Sequence, residues 1–245
     1  MSQNGDSYQI ADVRESDSMV VGQFGSSPHF AHAVALGLVL VVALSVTRAA
    51  GVLLMQRWWG AAGFEPSWRG AAFLLGLIVV VSVGIVGGGL FGLAGATWES
   101  LGWRRRRWGW EIGRGLLAAL VIGLIALVFA VVGARLLGLK SPAPTAGAPT
   151  VSGLGVLLSV AFGFLVASWS EENLFRGYLQ PLLVSRWGLG PGILVQAALF
   201  SLAHVGYAQA WPFFVLLFAT GIVLGWLRGR DGSLVAAFVA HGLVG

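Results

Sequence analysis

Glu171, Glu172 and Arg176 fall in the stretch W-S-E-E-N-L-F-R-G-Y-L-Q, residues 169–180, directly after an apolar run from Val151 to Ala167. Ionisable groups at that place lie in or beside hydrocarbon, where each costs roughly 2.5–3.5 kcal/mol on insertion scales, so their default reading is functional. On a helix Glu172 and Arg176, four apart, share a face, and the guanidinium neutralises one carboxylate. Glu171 then points about 100° away and faces something else. His204, in A-A-L-F-S-L-A-H, and His241, in L-V-A-A-F-V-A-H, are also enclosed by apolar sequence. One such histidine reads as a ring satisfied by a backbone carbonyl. Two of them alongside a buried Glu pair point to a site. His29 and His32 stand where the first apolar run begins and read as interfacial imidazoles.

A buried carboxylate with two imidazoles can activate water. The carboxylate takes a proton, one ring orients the water, and the other donates to the oxyanion that forms on a carbonyl. The same three side chains, Glu171, His204 and His241, also make a ligand set for a divalent metal such as zinc, with a position left open for water. The residues leave both readings standing. H-E-x-x-H and G-x-S-x-G are absent, so neither a zincin nor a serine nucleophile elbow is supported.

The elements that must position these groups are membrane helices. Of 245 residues 57% are hydrophobic and only 10% charged, against about 25% charged in a soluble domain. The sequence predicts an all-α, polytopic transmembrane bundle of about seven spans. The first runs from about Phe30 to Leu53 with Arg48 inside it, the second from about Gly70 to Thr97, and the third from about Gly115 to Leu139. The others cover about Val151–Val184, Ile193–Val205, Trp211–Arg228 and Ser233 onward, the last reaching Gly245 short of the roughly 20 residues that a crossing needs. Residues 1–28 are polar and mixed in charge, with no apolar signal core, and read as a disordered cytoplasmic tail. Lys140–Thr150 is a Pro/Ala/Gly linker. It separates N-terminal spans, residues 29–140, that are poor in candidate catalytic groups from a back half, residues 151–245, that holds them. There is no cysteine, which removes disulfides and thiolate metal sites.

Register supports a meeting of the polar groups. Around a turn near Gly188, Glu172 lies 16 residues before and His204 16 after, so an antiparallel hairpin brings them to one depth. His241 follows the turn at Gly229–Gly232 by about ten residues, which places all three roughly 15–20 Å from one membrane face. Phe200, four before His204, shares its face and braces the ring. Between the second and third spans, Arg104, Arg105, Arg106 and Arg107 sit among Trp98, Trp103, Trp108 and Trp110. That composition predicts an interfacial elbow over residues 98–114 resting on anionic headgroups, and it makes the net charge of +5 a matter of topology and lipid rather than nucleic acid. If the arginine cluster is cytoplasmic, alternation places the N-terminus there too. Gly87-x-Gly89-x-x-Gly92 fits a dinucleotide fingerprint only on paper, lying in an apolar span without a preceding strand. Gly84, Gly88 and Gly92 at four-residue spacing predict close helix packing.

Taken in order, Glu171-Glu172-x-x-x-Arg176, Phe200-x-x-x-His204 and His241 resemble the CPBP family of intramembrane proteases, the CAAX prenyl protease 2 (Rce1-like), Abi and bacteriocin-processing group. The resemblance covers about Val151–Gly245 and implies an intramembrane endopeptidase acting on a membrane-associated, in some members lipid-modified, peptide. It implies Glu171 as the water-activating base, Glu172 as its partner carboxylate, Arg176 as structural, His204 as positioning the water, and His241 as stabilising the oxyanion. The family includes members described as metalloproteases and as metal-independent glutamate proteases. Its last motif carries a polar residue four after the second histidine, where this chain has Gly245. Two other classes fit the same residues: a non-catalytic membrane scaffold or immunity protein that keeps the pocket, and a proton-coupled transporter using Glu and His as a relay. The composition suggests a bacterial cytoplasmic membrane protein.

Overall fold

The computed structural model describes residues 27–60, 68–104, 108–136, 157, 160, 161, 163–204 and 211–244. Most of the polar N-terminal tail, the Lys140–Thr150 linker, Arg105–Arg107 and Gly245 lie outside the described residues. Every regular element among those described is helical. In chain order they are α1 (Ser27–Gly60), α2 (Trp68–Gly87), which widens into a π-helical segment Gly88–Leu93, then α3 (Trp98–Leu101) and α4 (Trp108–Leu136). The site helix follows, built from a π segment Gly163–Ser168, α5 (Trp169–Glu171), a second π segment Glu172–Leu179, and α6 (Gln180–Trp187). The chain ends in α7 (Leu189–Leu202), α8 (Trp211–Asp231) and α9 (Val235–Val244).

Four helices among the described residues are long and apolar enough to cross a membrane: His29–Gly51, Gly76–Leu93, Trp108–Gly133 and Phe213–Asp231. Their outer faces carry exposed Val39, Val42, Val46, Leu120, Leu127 and Val128. Apolar side chains of that size stand exposed over such lengths only where hydrocarbon is the solvent. The protein is thus an integral membrane protein with an all-helical, polytopic fold. Inside, Leu40, Leu44, Leu90, Leu174, Phe175 and Phe200 form the main core, where α1 and α2 meet the site helix and α7. A smaller core, with Ile122, Leu224, Ala236 and Ala240, joins α4, α8 and α9.

Three local features differ from the sequence expectation. The third span begins at Trp108 rather than near Gly115, so the second half of the expected elbow is the first two turns of α4. Glu111 and Arg114 then have partners within the bundle: Ser233 donates to Glu111 at 3.0 Å, and Arg114 forms an ion pair with Asp231 at the end of α8. The first half of the elbow is α3, closed by a capping box in which Thr97 and Ser100 exchange hydrogen bonds at 2.8 and 3.1 Å. Its residues turn inward as well as outward. Trp98 is exposed, while the Leu101 carbonyl comes to 3.1 Å from where a Cβ on Gly177 would stand. Finally, the Gly84, Gly88 and Gly92 face has open space within 4 Å, and the close approach falls instead on Gly89, where a Cβ would meet Leu40 at 2.3 Å. Gly84, ahead of the π segment, is as open as Gly88 and Gly92, so the spacing picks out glycines that share a face but not the face that meets α1.

The α6–α7 connection is a single residue, Gly188, at φ 83°. That left-handed-side backbone is cheap for glycine alone and lets the two helices fold back at once. The α4–α9 contact is equally tight, since a Cβ on Gly115 would stand 2.8 Å from the Ala236 carbonyl oxygen and 2.7 Å from Val239 Cβ. Because α9 carries His241, this seat sets the depth of that ring. We expect Gly115→Leu to lower stability by about 1–3 kcal/mol through overpacking. Gly123→Ala on the same helix, with nothing within 4 Å, should leave the midpoint unchanged or raise it. Thermal unfolding in detergent, followed by tryptophan fluorescence, compares the two.

Candidate active site

The site is assembled where the two π segments flank α5. In the second segment the Gln180 N–H donates to the Phe175 carbonyl, five residues back. The wider turn advances fewer degrees per residue than an α-helix, so neighbouring side chains point in more similar directions. Glu171 and Glu172 therefore both reach one ring: His241 Nδ1 is 2.7 Å from Glu172 Oε1, and its Nε2 is 3.5 Å from Glu171 Oε2. His204 Nε2 approaches the other oxygen, Glu171 Oε1, at 3.6 Å. Both glutamates, Arg176 and His241 are buried, and His204 is partly so.

Hydrogen bonds fix the tautomers in chemical terms. His204 Nδ1 lies 2.8 Å from the Phe200 carbonyl, which only accepts, so Nδ1 carries the hydrogen. His241 Nδ1 faces a carboxylate oxygen and donates to it by the same logic. Arg176 NH1 donates to Glu172 Oε1 at 2.7 Å, the i, i+4 pairing expected from the sequence. Phe200 is the aromatic centre of the group. Its ring lies 4.9 Å from that of His204, 5.7 Å edge-on from that of His241, 5.3 Å from Phe175, and 4.2 Å beneath the Arg176 guanidinium carbon. One phenyl group thus braces both imidazoles and the buried cation.

All six side chains singled out in the sequence (Glu171, Glu172, Arg176, Phe200, His204 and His241) come together. Two contributors had been passed over. Arg48, in the middle of α1, forms an ion pair with Glu171 Oε1 and donates through its second terminal nitrogen to the Val166 carbonyl at 3.2 Å. The signal was present, as an arginine inside an apolar span marks a buried partner, but nothing in the sequence says which acid it meets. The other is Asn173, which bonds the Trp103 indole N–H at 2.7 Å through its side-chain oxygen and the Trp169 carbonyl at 2.7 Å through its amide nitrogen. Trp103 thereby ties the elbow to the helix that carries both glutamates. Ser168 does the same for α9, donating to the Phe238 carbonyl at 2.6 Å.

One oxygen of each glutamate, Oε2 in both, is buried without a hydrogen-bond partner. In Glu171 this is the oxygen facing His241 Nε2. Among the described residues no group of three or more His, Asp or Glu side chains is disposed to hold a metal ion.

Comparison with known proteins fits this geometry. Residues 153–245 match the family described as type II CAAX prenyl endopeptidase Rce1-like. This segment, less than half of the chain, is similar to that family. It contains the site helix, α7, α8 and α9, and so every polar residue of the site except Arg48 and Trp103. An Escherichia coli protein described only as an uncharacterized 24.3 kDa protein is 32% identical over 88 residues, 35% of this chain. The chain covers 40% of that relative's length. No solved structure matches. The matched segment is the back half of the bundle.

Arg176 tests the electrostatics of the site. Replacing it by Met leaves the buried Glu172 carboxylate without its guanidinium, and we expect a loss of about 3–5 kcal/mol. Adding Glu172→Gln to Arg176→Met should recover part of that loss. Denaturant unfolding of both variants in mixed micelles measures the difference.

Proposed function

We propose that this protein is an intramembrane endopeptidase that hydrolyses a peptide bond of a membrane-associated peptide with a glutamate-activated water. The observation that carries the reading is the partnerless Glu171 Oε2, buried with His241 Nε2 at 3.5 Å, while His204 Nε2 approaches the other oxygen of the same carboxylate at 3.6 Å. A water held there donates one hydrogen to Glu171 Oε2, and the His204 ring beside the same carboxylate orients it. Glu171 takes the proton as the water oxygen bonds to the scissile carbonyl carbon. His241, as the imidazolium whose charge Glu172 offsets at 2.7 Å, donates from Nε2 to the oxyanion. On collapse the C–N bond breaks and the proton held by Glu171 passes to the leaving nitrogen. The product acid and amine account for every atom of the water.

The residues do not fit a metal. Each carboxylate already has a guanidinium partner, Arg48 on Glu171 and Arg176 on Glu172. A divalent ion would add two charges beside two cations in a medium of low dielectric. Activity in this reading is independent of added metal.

The substrate class follows from where the site lies. Buried in the bundle among helices that span the membrane, it is reached by a segment presented from the bilayer, such as the end of a membrane-bound or lipid-modified peptide. The resemblance and the composition favour a bacterial cytoplasmic membrane with the N-terminus inside, and Arg104–Arg107 resting on anionic headgroups at that face.

Purified protein in detergent, offered an internally quenched peptide library, is the test. Glu171→Gln should lower kcat by about 10²–10⁴-fold and His241→Ala by about 10²–10³-fold. His204→Ala should fall in the same range as Glu171→Gln. Treatment with EDTA and with 1,10-phenanthroline should leave the wild-type rate unchanged. Cleavage by Glu171→Gln at the wild-type rate rejects the assignment, and a chain that cleaves nothing at all favours a scaffold that keeps the pocket for binding.

A further inference from the structure

We propose that Arg48 is a positioning residue of the hydrolytic site: from α1 it clamps the Glu171 carboxylate so that one oxygen is held and the other is presented to the water. The inference deepens the endopeptidase reading and rests on it. Arg48 belongs to the front half, outside the Rce1-like segment. The segment's own buried cation, Arg176, is bonded to Glu172. Glu171 therefore depends for its counter-charge on Arg48, more than a hundred residues ahead of the segment, and the site is incomplete until the helix that carries it docks.

Geometry makes the arginine a clamp rather than a bare charge. One terminal nitrogen takes Glu171 Oε1 and the other takes the Val166 carbonyl at 3.2 Å, so the planar fork bridges two points on the site helix five residues apart. With Oε1 held, the remaining oxygen is turned toward His241 Nε2 at 3.5 Å, where no other group competes for it. The α1 helix that delivers the fork is itself fixed along its length. Tyr178 donates to the Ala33 carbonyl at 3.1 Å, and Gly37 lies so close to Leu179 that a Cβ would stand 2.3 Å from its Cδ2. From this pair of contacts near Tyr178 and Leu179, α1 runs on to Arg48, which meets the site helix further back in sequence at Glu171 and Val166. Three residues before Arg48, Ser45 donates to the Ala203 carbonyl at 3.0 Å, beside His204. One face of α1 thus sets both the base and the chain segment that carries the water-orienting ring.

A lysine in this place would keep the charge and lose the fork. It can reach the carboxylate or the carbonyl, but a single ammonium does not fix a plane. Glutamine keeps neither charge nor fork. Because the reacting oxygen must sit within a fraction of an ångström of its place, a released Glu171 side chain costs kcat rather than substrate binding.

The experiment uses the full chain in detergent with the library peptide that the wild type cleaves fastest. Arg48→Gln should lose about 10²-fold in kcat with KM unchanged, Arg48→Lys should fall between Arg48→Gln and wild type, and millimolar methylguanidinium should restore Arg48→Gln while leaving Glu171→Gln inactive. Melting midpoints are recorded for each variant. The proposal is overturned if Arg48→Gln matches the wild-type kcat. It is also overturned if the loss is the same in Arg48→Lys, follows the melting midpoint and resists methylguanidinium, which would make Arg48 a purely structural tie. A wild type that cleaves, a dead Glu171→Gln and a normal Arg48→Gln refute the role of Arg48 alone. A Glu171→Gln that keeps pace with wild type removes the endopeptidase reading and this inference with it.

Discussion

Two carboxylates on consecutive residues of a membrane helix are the constraint that the rest of the molecule serves. Side by side in hydrocarbon they repel each other and lack water, so the fold must bring each a cation and a set of hydrogen-bond donors. The solution divides the work. Glu172 is answered from its own helix by Arg176 and from α9 by the His241 Nδ1–H. Glu171 is answered across the bundle by Arg48 on α1. The first arrangement completes both the charge and the hydrogen bonding of one oxygen. Both arrangements leave Oε2 without a hydrogen-bond partner, and they differ in that the Glu171 Oε2 faces the Nε2 of His241 at 3.5 Å.

The helix itself is altered to suit. An α-helix would separate the two glutamate side chains by about 100° and favour different neighbours for each. Widening into π turns on either side of Glu171 brings them close enough to share one imidazole. Wide turns sacrifice regular hydrogen bonding, and they recur at functional sites for this reason. Here the surrounding packing holds them. Leu174, Phe175 and Leu179 are wholly buried against α1, α2 and α7, while Asn173, Ser168 and Tyr178 form hydrogen bonds to Trp103, α9 and α1. The widened helix is over-determined by its contacts, which is what allows an irregular backbone at membrane depth.

Much of this was legible in the chain. The all-helical membrane fold followed from composition, because lipid leaves the backbone no other way to satisfy its polar groups. The order of the spans followed from apolar runs broken by Gly, Pro and charge. The polar site residues were legible because each violates the solvent that surrounds it, and a common depth for Glu172, His204 and His241 was expected from counting residues from the turns near Gly188 and Gly229–Gly232. Boundaries were less so. Glu111 and Arg114 looked like the close of an interfacial elbow, and they are instead held by Ser233 and Asp231 within the first turns of α4.

The sequence by itself determined which groups are buried and which helices carry them, since burial in hydrocarbon is a one-dimensional property that hydropathy and residue type record. Partnership was decided only by the tertiary structure. Arg48 and Glu171 are 123 residues apart, and no periodicity relates two positions on different helices. Which acid an isolated arginine meets depends on how α1 rotates and slides against the site helix, and that is set by Gly37 against Leu179 and Tyr178 against Ala33. The choice of Gly89 over its neighbours as the close contact has the same origin, because spacing fixes which glycines share a face and not which face meets α1.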